Sequence, residues 1–197
     1  MINLIGIRNL HNIQPIETIP SILEHGILSH NRAKTIKHKS VASPIIQARR
    51  ENKQIPNGMK LHDYANLYFD AHNPMLCSIK KQNTEIVIIQ LDKKILMVKN
   101  VVLCDRNASS DYAAFYPVEI GLEKLNFQMI YNRYWTNHKD PILLMEHKSI
   151  KCAEALIPNC VPPDYISEII VYNDSVKTRL ESMGITLQIT VDSSIFF

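Results

Sequence analysis

An α+β fold with a mixed sheet is what this 197-residue chain predicts, on three observations. Helix signals come early, short β-branched runs dominate later, and one strand–helix–strand unit closes the chain, which argues against a doubly wound sheet. Composition agrees. With 46% apolar and 21% charged residues the chain can build one substantial core, and only 5 Gly and 10 Pro exclude collagen-like or low-complexity classes. The expectation is one domain over residues 1–197, since no repeat or Ser/Gly-rich linker interrupts it. No apolar run approaches the ~20 residues of a membrane span. The opening MINLIGIRNLHN has neither the basic region nor the small-residue cleavage site of an export signal. Cys77, Cys104, Cys152 and Cys160 form no CxxC pair, so neither a zinc ribbon nor a disulfide framework is indicated. A reduced, cytoplasmic protein without a membrane partner is expected, with the monomer as its default state.

The first helix follows Thr18 as cap, tolerates Pro20 in its first turn, carries the stripe Ile19, Ile22 and Leu23, and ends at Gly26. A second opens at Ser43-Pro44 and runs into Arg49-Arg50. Loops flank it, from His30 to Ser43 and through NKQIPNGMK, where Pro56 and Asn57-Gly58 mark turns. Asn73-Pro74 reads as another turn, with Met75 and Leu76 in the core. TEIVIIQLD (84–92) and VKNVVLCD (98–105) read as strands. A long polar connection from Asp105 to Phe115 leads to a helix over 121–135. SIKCAEALIP (149–158) is short and followed by prolines, which favours a strand although Ala, Glu and Leu favour helix. ISEIIVY (166–172) is a strand, Asn173-Asp174 caps a helix with Val176, Leu180 and Met183 inward and Gly184 at its end, and ITLQITV (185–191) closes as a strand.

The net charge of +3 conceals an asymmetry. Between His30 and Lys60 eight Lys and Arg face Glu51 alone, a segment of +7 on a remainder of −4. Such a segment attracts polyanions or a dinucleotide; the plainer alternative is a solvated face that keeps the protein soluble. As a strand, 150–157 places Glu154 on one face with Ile150, Cys152 and Leu156. A carboxylate among such neighbours is costly unless used, which makes it a candidate catalytic group; the alternative is an edge strand whose glutamate meets water. His62-Asp63 suits a divalent metal, as in helical phosphohydrolases, or else a structural corner in which the Asp caps a turn. Tyr68 and Phe69 can stack on a flat ring or simply fill the core. The polar loop CDRNASSDY (104–112) leaves a strand end, where ligand contacts concentrate.

In this order, QARRENKQIP, LHDYANLYFDAHNPML, TEIVIIQLD, CDRNASSDYAAFY, KCAEALIP and ISEIIVYN resemble the DarT family. These are NAD-dependent ADP-ribosyltransferase toxins acting on bases in single-stranded DNA and paired with a DarG macrodomain antitoxin. The resemblance runs from about Thr18 to the C-terminus. It implies an ADP-ribosyltransferase fold, a split mixed or antiparallel sheet with NAD in its cleft. It implies Glu154 as the catalytic glutamate and Arg50, second of the Arg pair, as the essential arginine. To NAD, as substrate, it assigns Gln14, Leu28, Arg50 and Tyr68, with His11 or Asn12 in a histidine position that a one-residue shift leaves open. To the acceptor it assigns Arg49, Arg106 and Asn107, and to the segment from Asn107 to Glu154 target recognition. The basic stretch around 34–52 would fold over NAD. Asn107 stands where many members have histidine, which leaves thymine, guanine or an RNA base as acceptor.

The chemistry fits those roles. Cleaving nicotinamide from ribose builds positive charge on the sugar, as in glycosidases. A fixed carboxylate can bind a ribose hydroxyl and stabilise that charge, and a guanidinium can hold the diphosphate or the attacking base. No metal is expected, because nicotinamide is already a good leaving group. Two other classes compete. A non-catalytic nucleic-acid-binding module would use only the basic segment, and a metal phosphohydrolase only His62-Asp63. Neither gives Glu154 or Arg50 any work.

Overall fold

The computed structural model describes residues 2–36, 41 and 43–197. Among them, ten strands occur: β1 (Leu10–Pro15), β2 (Ile27–Leu28), β3 (Tyr64–Tyr68), β4 (Ile86–Leu91), β5 (Val102–Cys104), β6 (Phe115–Pro117), β7 (Glu154–Pro158), β8 (Cys160–Val161), β9 (Ile166–Val171) and β10 (Ile189–Val191). The helices are α1 (Ile19–His25), α2 (His30–Ala33), α3 (Pro44–Glu51), α4 (Pro74–Ser78), α5 (Val118–Lys124), α6 (Phe127–Ile130), α7 (Pro141–Ile150) and α8 (Asp174–Ser182). Eight strands form one sheet in the order β10-β9-β4-β1-β3-β7-β5-β6, and β2 pairs with β8 separately. The β9–β10 ladder is parallel, as the expected closing unit with α8 requires, and the other ladders are antiparallel.

The sheet has a seam. β1 matches β4 at six positions, from Leu10↔Leu91 to Pro15↔Ile86, but matches β3 at His11↔Tyr68 alone. Past that rung the two strands part, and their backbone groups need other partners. The Asn12 amide supplies one, donating Nδ2–H to the Asn66 carbonyl (2.9 Å) while its Oδ1 accepts from Gln14 Nε2 (2.7 Å). Two half-sheets therefore meet at one rung and open into a wedge. Both faces of β4 are covered over its first four residues, Ile86, Val87, Ile88 and Ile89, which explains why they read as a continuous apolar run. Val87, Ile89 and Leu91 join Leu10 and Leu67 in one core, and Ile86 and Ile88 join Ile13 and Tyr68 in another.

Several elements differ from expectation. Strand β1 precedes every helix, so helices do not come first. Helix α1 spans its expected residues, but the Thr18 hydroxyl donates to the Pro15 carbonyl (2.7 Å) instead of capping the helix. The loop after His30 holds one helical turn, α2, and Lys37 and Lys39 of the basic stretch lie outside the described residues. Asn73-Pro74 starts α4, with Asn73 Oδ1 accepting the Leu76 N–H (3.1 Å). The span 98–105 is strand only from Val102, because Asn100 takes a turn conformation at φ 64°. The expected helix over 121–135 is two short ones, broken where Asn126 caps α6 through the Met129 N–H (3.0 Å). SIKCAEALIP is not one strand. Its start belongs to α7, begun by the Asp140 cap and Pro141, and β7 begins only at Glu154, so Ile150 and Cys152 are not strand neighbours of Glu154. Met183 lies past the end of α8 and is 38% exposed, and only the last three residues of 185–191 pair as strand. No helix of the described residues is long and apolar enough to cross a membrane, and all four cysteines are free thiols.

Candidate active site in the split sheet

Glu154 opens β7 between Tyr68 on one neighbouring strand and Cys104 on the other, and is wholly buried. Such a carboxylate survives only with partners. Arg50 Nη1 donates to both of its oxygens at 3.1 Å, and the Ala108 backbone N–H donates to Oε1 at 2.8 Å. Arg50 itself is 6% exposed. Helix α3 delivers it: Ser43-Pro44 sets the start, and the three-residue spacing of Gln47 and Arg50 turns both toward the same side, while Arg49, about 100° round the helix, faces solvent. A buried pair of this kind is costly to break from one side, about 3–5 kcal/mol.

The surroundings keep neighbouring groups neutral. Burial, and then the charge of Glu154, raises the Tyr68 phenol well above its ordinary value, so it remains a donor. The same two causes raise the Cys104 thiol and push Cys152 up to about 12. Neither thiol is a nucleophile at neutral pH.

The wedge between the half-sheets is a cleft of about 1050 Å³. Asn12 and Gln14 of β1, Leu28 of β2, Tyr68 of β3, Asn107 and Arg50 all line it. Glu154 does not; Arg50 lies between the carboxylate and the cleft. His62 also lines the cleft, with its Nε2 buried and without a hydrogen-bond partner and its ring 4.2 Å from that of His30. Burial lowers the His62 pKa, helped by the charges of His30, Arg50 and Lys34, so the ring is neutral at pH 7. Asp63 accepts from Asn31 Nδ2 (2.7 Å) in a one-turn corner. Among the described residues no group of three or more His, Cys, Asp or Glu is placed to hold a metal ion.

Three of the residues singled out in the sequence do not line this cleft. His11 lines a second cavity, beyond its rung with Tyr68, while Asn12 lines the cleft. Arg106 is turned onto Asp105, with Nε and Nη2 at 3.1 and 3.0 Å from Oδ2. Arg49 is exposed and Arg106 partly buried, and neither lines the cleft. Conversely, Gln47, Asn66 and His62 line it without having been singled out for it. The helical spacing from Arg50 was a usable signal for Gln47. The Ala108 N–H has no signal in sequence, because a backbone donor is supplied by every residue but proline.

Comparison with known proteins agrees with this geometry. The family model for DarT, described as ssDNA thymidine ADP-ribosyltransferase, matches residues 11–197. A DNA ADP-ribosyl transferase–DNA ADP-ribosyl glycohydrolase fusion protein of Thermosipho africanus is 32% identical over 180 residues, covering 88% of this chain but 45% of its own length. The chain thus spans about half of that relative. A DNA ADP-ribosyl transferase of Thermus sp. is 32% identical over 179 residues, covering 85% of this chain and 82% of that protein. The solved structure of Thermosipho africanus DarTG in complex with ADP-ribose superimposes at a TM-score of 0.83 with 29% identity, over 96% of this chain and 51% of that one. The α+β fold is therefore ADP-ribosyltransferase-like. A split sheet, a cleft in its wedge, a buried Arg–Glu pair beside it and a family match over nearly the whole length converge: the chain belongs to the DarT family.

Proposed function

We propose that this chain transfers ADP-ribose from NAD to thymidine in single-stranded DNA. The observation that carries this reading is the Arg50–Glu154 pair, buried at the edge of a cleft of dinucleotide size. NAD supplies the leaving group: the bond between ribose and nicotinamide breaks, nicotinamide keeps the bonding pair, and the acceptor base gives the new pair and loses a proton. Asn12, Gln14, Leu28 and Tyr68 bind the dinucleotide, and Asn107 faces the acceptor from the same cleft. Glu154 is the group that stabilises sugar cation character, which requires Arg50 to yield one of the carboxylate oxygens to a ribose hydroxyl. Arg50 keeps its charge throughout and orients the carboxylate or the incoming base. We further propose that residues 1–197 act as one transferase domain, monomeric and cytoplasmic. Its expected partner is a DarG-type macrodomain glycohydrolase, in keeping with the fusion described for the Thermosipho relative.

Labelled NAD incubated with matched DNA oligonucleotides, with and without thymidine, and with the equivalent RNA tests the reading. Label on thymidine-containing single strands alone is expected. Label on thymidine-free DNA or on RNA replaces the acceptor, and label on protein alone overturns the nucleic-acid substrate.

A further inference from the structure

The second cavity, of about 500 Å³, lies on the other side of the His11–Tyr68 rung from the cleft and has no part in the chemistry above. Two arginines form its rim. Arg8 is held in place: its guanidinium carbon stands 4.4 Å from the Tyr131 ring centroid, and its backbone N–H donates to the Tyr131 hydroxyl (3.2 Å). Arg133 Nη2 donates to the Ser194 carbonyl (2.9 Å). The one acid lining the cavity, Asp70, is paired with the buried Lys151 at 2.5 Å. Counting that pair as neutral, the cavity carries +2. Inside it, His11 keeps a buried Nδ1 with no hydrogen-bond partner.

Position gives this charge a use. His11, Tyr68 and Glu154 stand in one row across three adjacent strands, so they share a face of the sheet. At about 4.8 Å per strand, His11 and Glu154 are roughly 10 Å apart along that row. Tyr131 and Arg133 also belong to the segment between Asn107 and Glu154 that follows the cleft-lining Asn107. A chain of phosphates that places one base beside Glu154 passes its next nucleotides over this cavity. Guanidinium forks match phosphate oxygens, and arginines already held by neighbours lose little freedom on binding one.

We propose that the second cavity holds a backbone phosphodiester of single-stranded DNA next to the acceptor nucleotide, gripped between Arg8 and Arg133. This rests on the transfer reading above and adds to it a fixed register for the strand. The side chains of both arginines are exposed, so R8A, R133A and the double variant should fold, with melting temperatures as the check.

Binding of a thymidine-containing oligonucleotide to the full chain, followed by fluorescence anisotropy across a salt series, is the test. The double variant should bind about tenfold more weakly, with a salt slope shallower by about 0.7, the value for one lost phosphate contact on a single strand. In transfer assays KM for the oligonucleotide should rise while kcat stays within about twofold. One methylphosphonate beside the acceptor should weaken wild-type binding by a similar factor and leave the double variant unaffected. Unchanged affinity and slope in the folded double variant would overturn the inference, as would a wild type that fails to hold single-stranded DNA. Binding through these arginines without any transfer sustains this site and instead defeats the proposed activity.

Discussion

Replacing Glu154 with glutamine separates the charge of this residue from its volume. The carboxylate accepts three hydrogen bonds, two from Arg50 Nη1 at 3.1 Å and one from the Ala108 N–H at 2.8 Å. The glutamine carbonyl retains the Ala108 bond, but its amide group turns donors toward the guanidinium. The loss is that of a hydrogen bond to a charged group, about 1.5–3 kcal/mol. Alanine instead leaves Arg50 buried without a counter-charge and opens a cavity, for about 3–5 kcal/mol or more. Against a typical total of about 5–15 kcal/mol, glutamine leaves a folded protein and alanine a marginal one. The glutamine variant is therefore the clean catalytic test. Without the negative charge the sugar cation loses a fixed electrostatic partner, a loss of about 10²–10³ in transfer rate. Initial rates of label transfer, read beside thermal melts of the same samples, measure both effects. A folded glutamine variant within threefold of the wild-type rate would refute the role of the charge. An alanine variant melting as high as wild type would refute the energetic account of the pair.

Three further outcomes are expected. His11, His62 and His72 all have pKa values lowered from 6.5, chiefly by burial, so the unfolded chain binds protons first on acidification. Their contribution to stability is complete above about pH 6.5 and fades as pH falls through the folded values; a urea midpoint as high at pH 5.5 as at pH 7.5 would contradict this. Gly26→Ala should destabilise far more than Gly184→Ala, although both glycines have φ near +80°: a Cβ at Gly26 would meet the Val161 carbonyl at 2.2 Å, while Gly184 faces open space and incurs only the left-handed strain of about 1–2 kcal/mol. Equal melting temperatures for the two variants would contradict that contrast. Asn12→Leu strands the Asn66 carbonyl, for about 1–3 kcal/mol, and should weaken NAD binding; titration calorimetry showing unchanged affinity would remove Asn12 from the dinucleotide site.

Local signals carried far along this chain, and failed where tertiary context decided. Gly26, Ser43-Pro44 and Asn173 marked helix ends because caps and turns are governed by nearby backbone. TEIVIIQLD and ISEIIVY were legible because strands buried on both faces carry runs of β-branched residues. Helix α7 was missed behind an acceptable start signal, Asp140-Pro141, since its sequence ran into β7 and was taken together with it. Strand β3 was obscure because Asn66 faces the cleft and breaks the apolar pattern. At the site, motif resemblance pointed to Arg50 and Glu154 together, 104 residues apart, which no periodicity could have done. The choice between His11 and Asn12 stayed open in the sequence because it turns on a shift of one residue; Asn12 lines the cleft and His11 the second cavity.

The single His11↔Tyr68 rung joins the two half-sheets like one stitch in the spine of a book. Asn12 and Gln14 sit on one cover, Tyr68 and the neighbours of Glu154 on the other. A guest lodged between them takes over the cross-bracing that the backbone withholds, so grip on the guest and stiffness of the whole sheet rise and fall together.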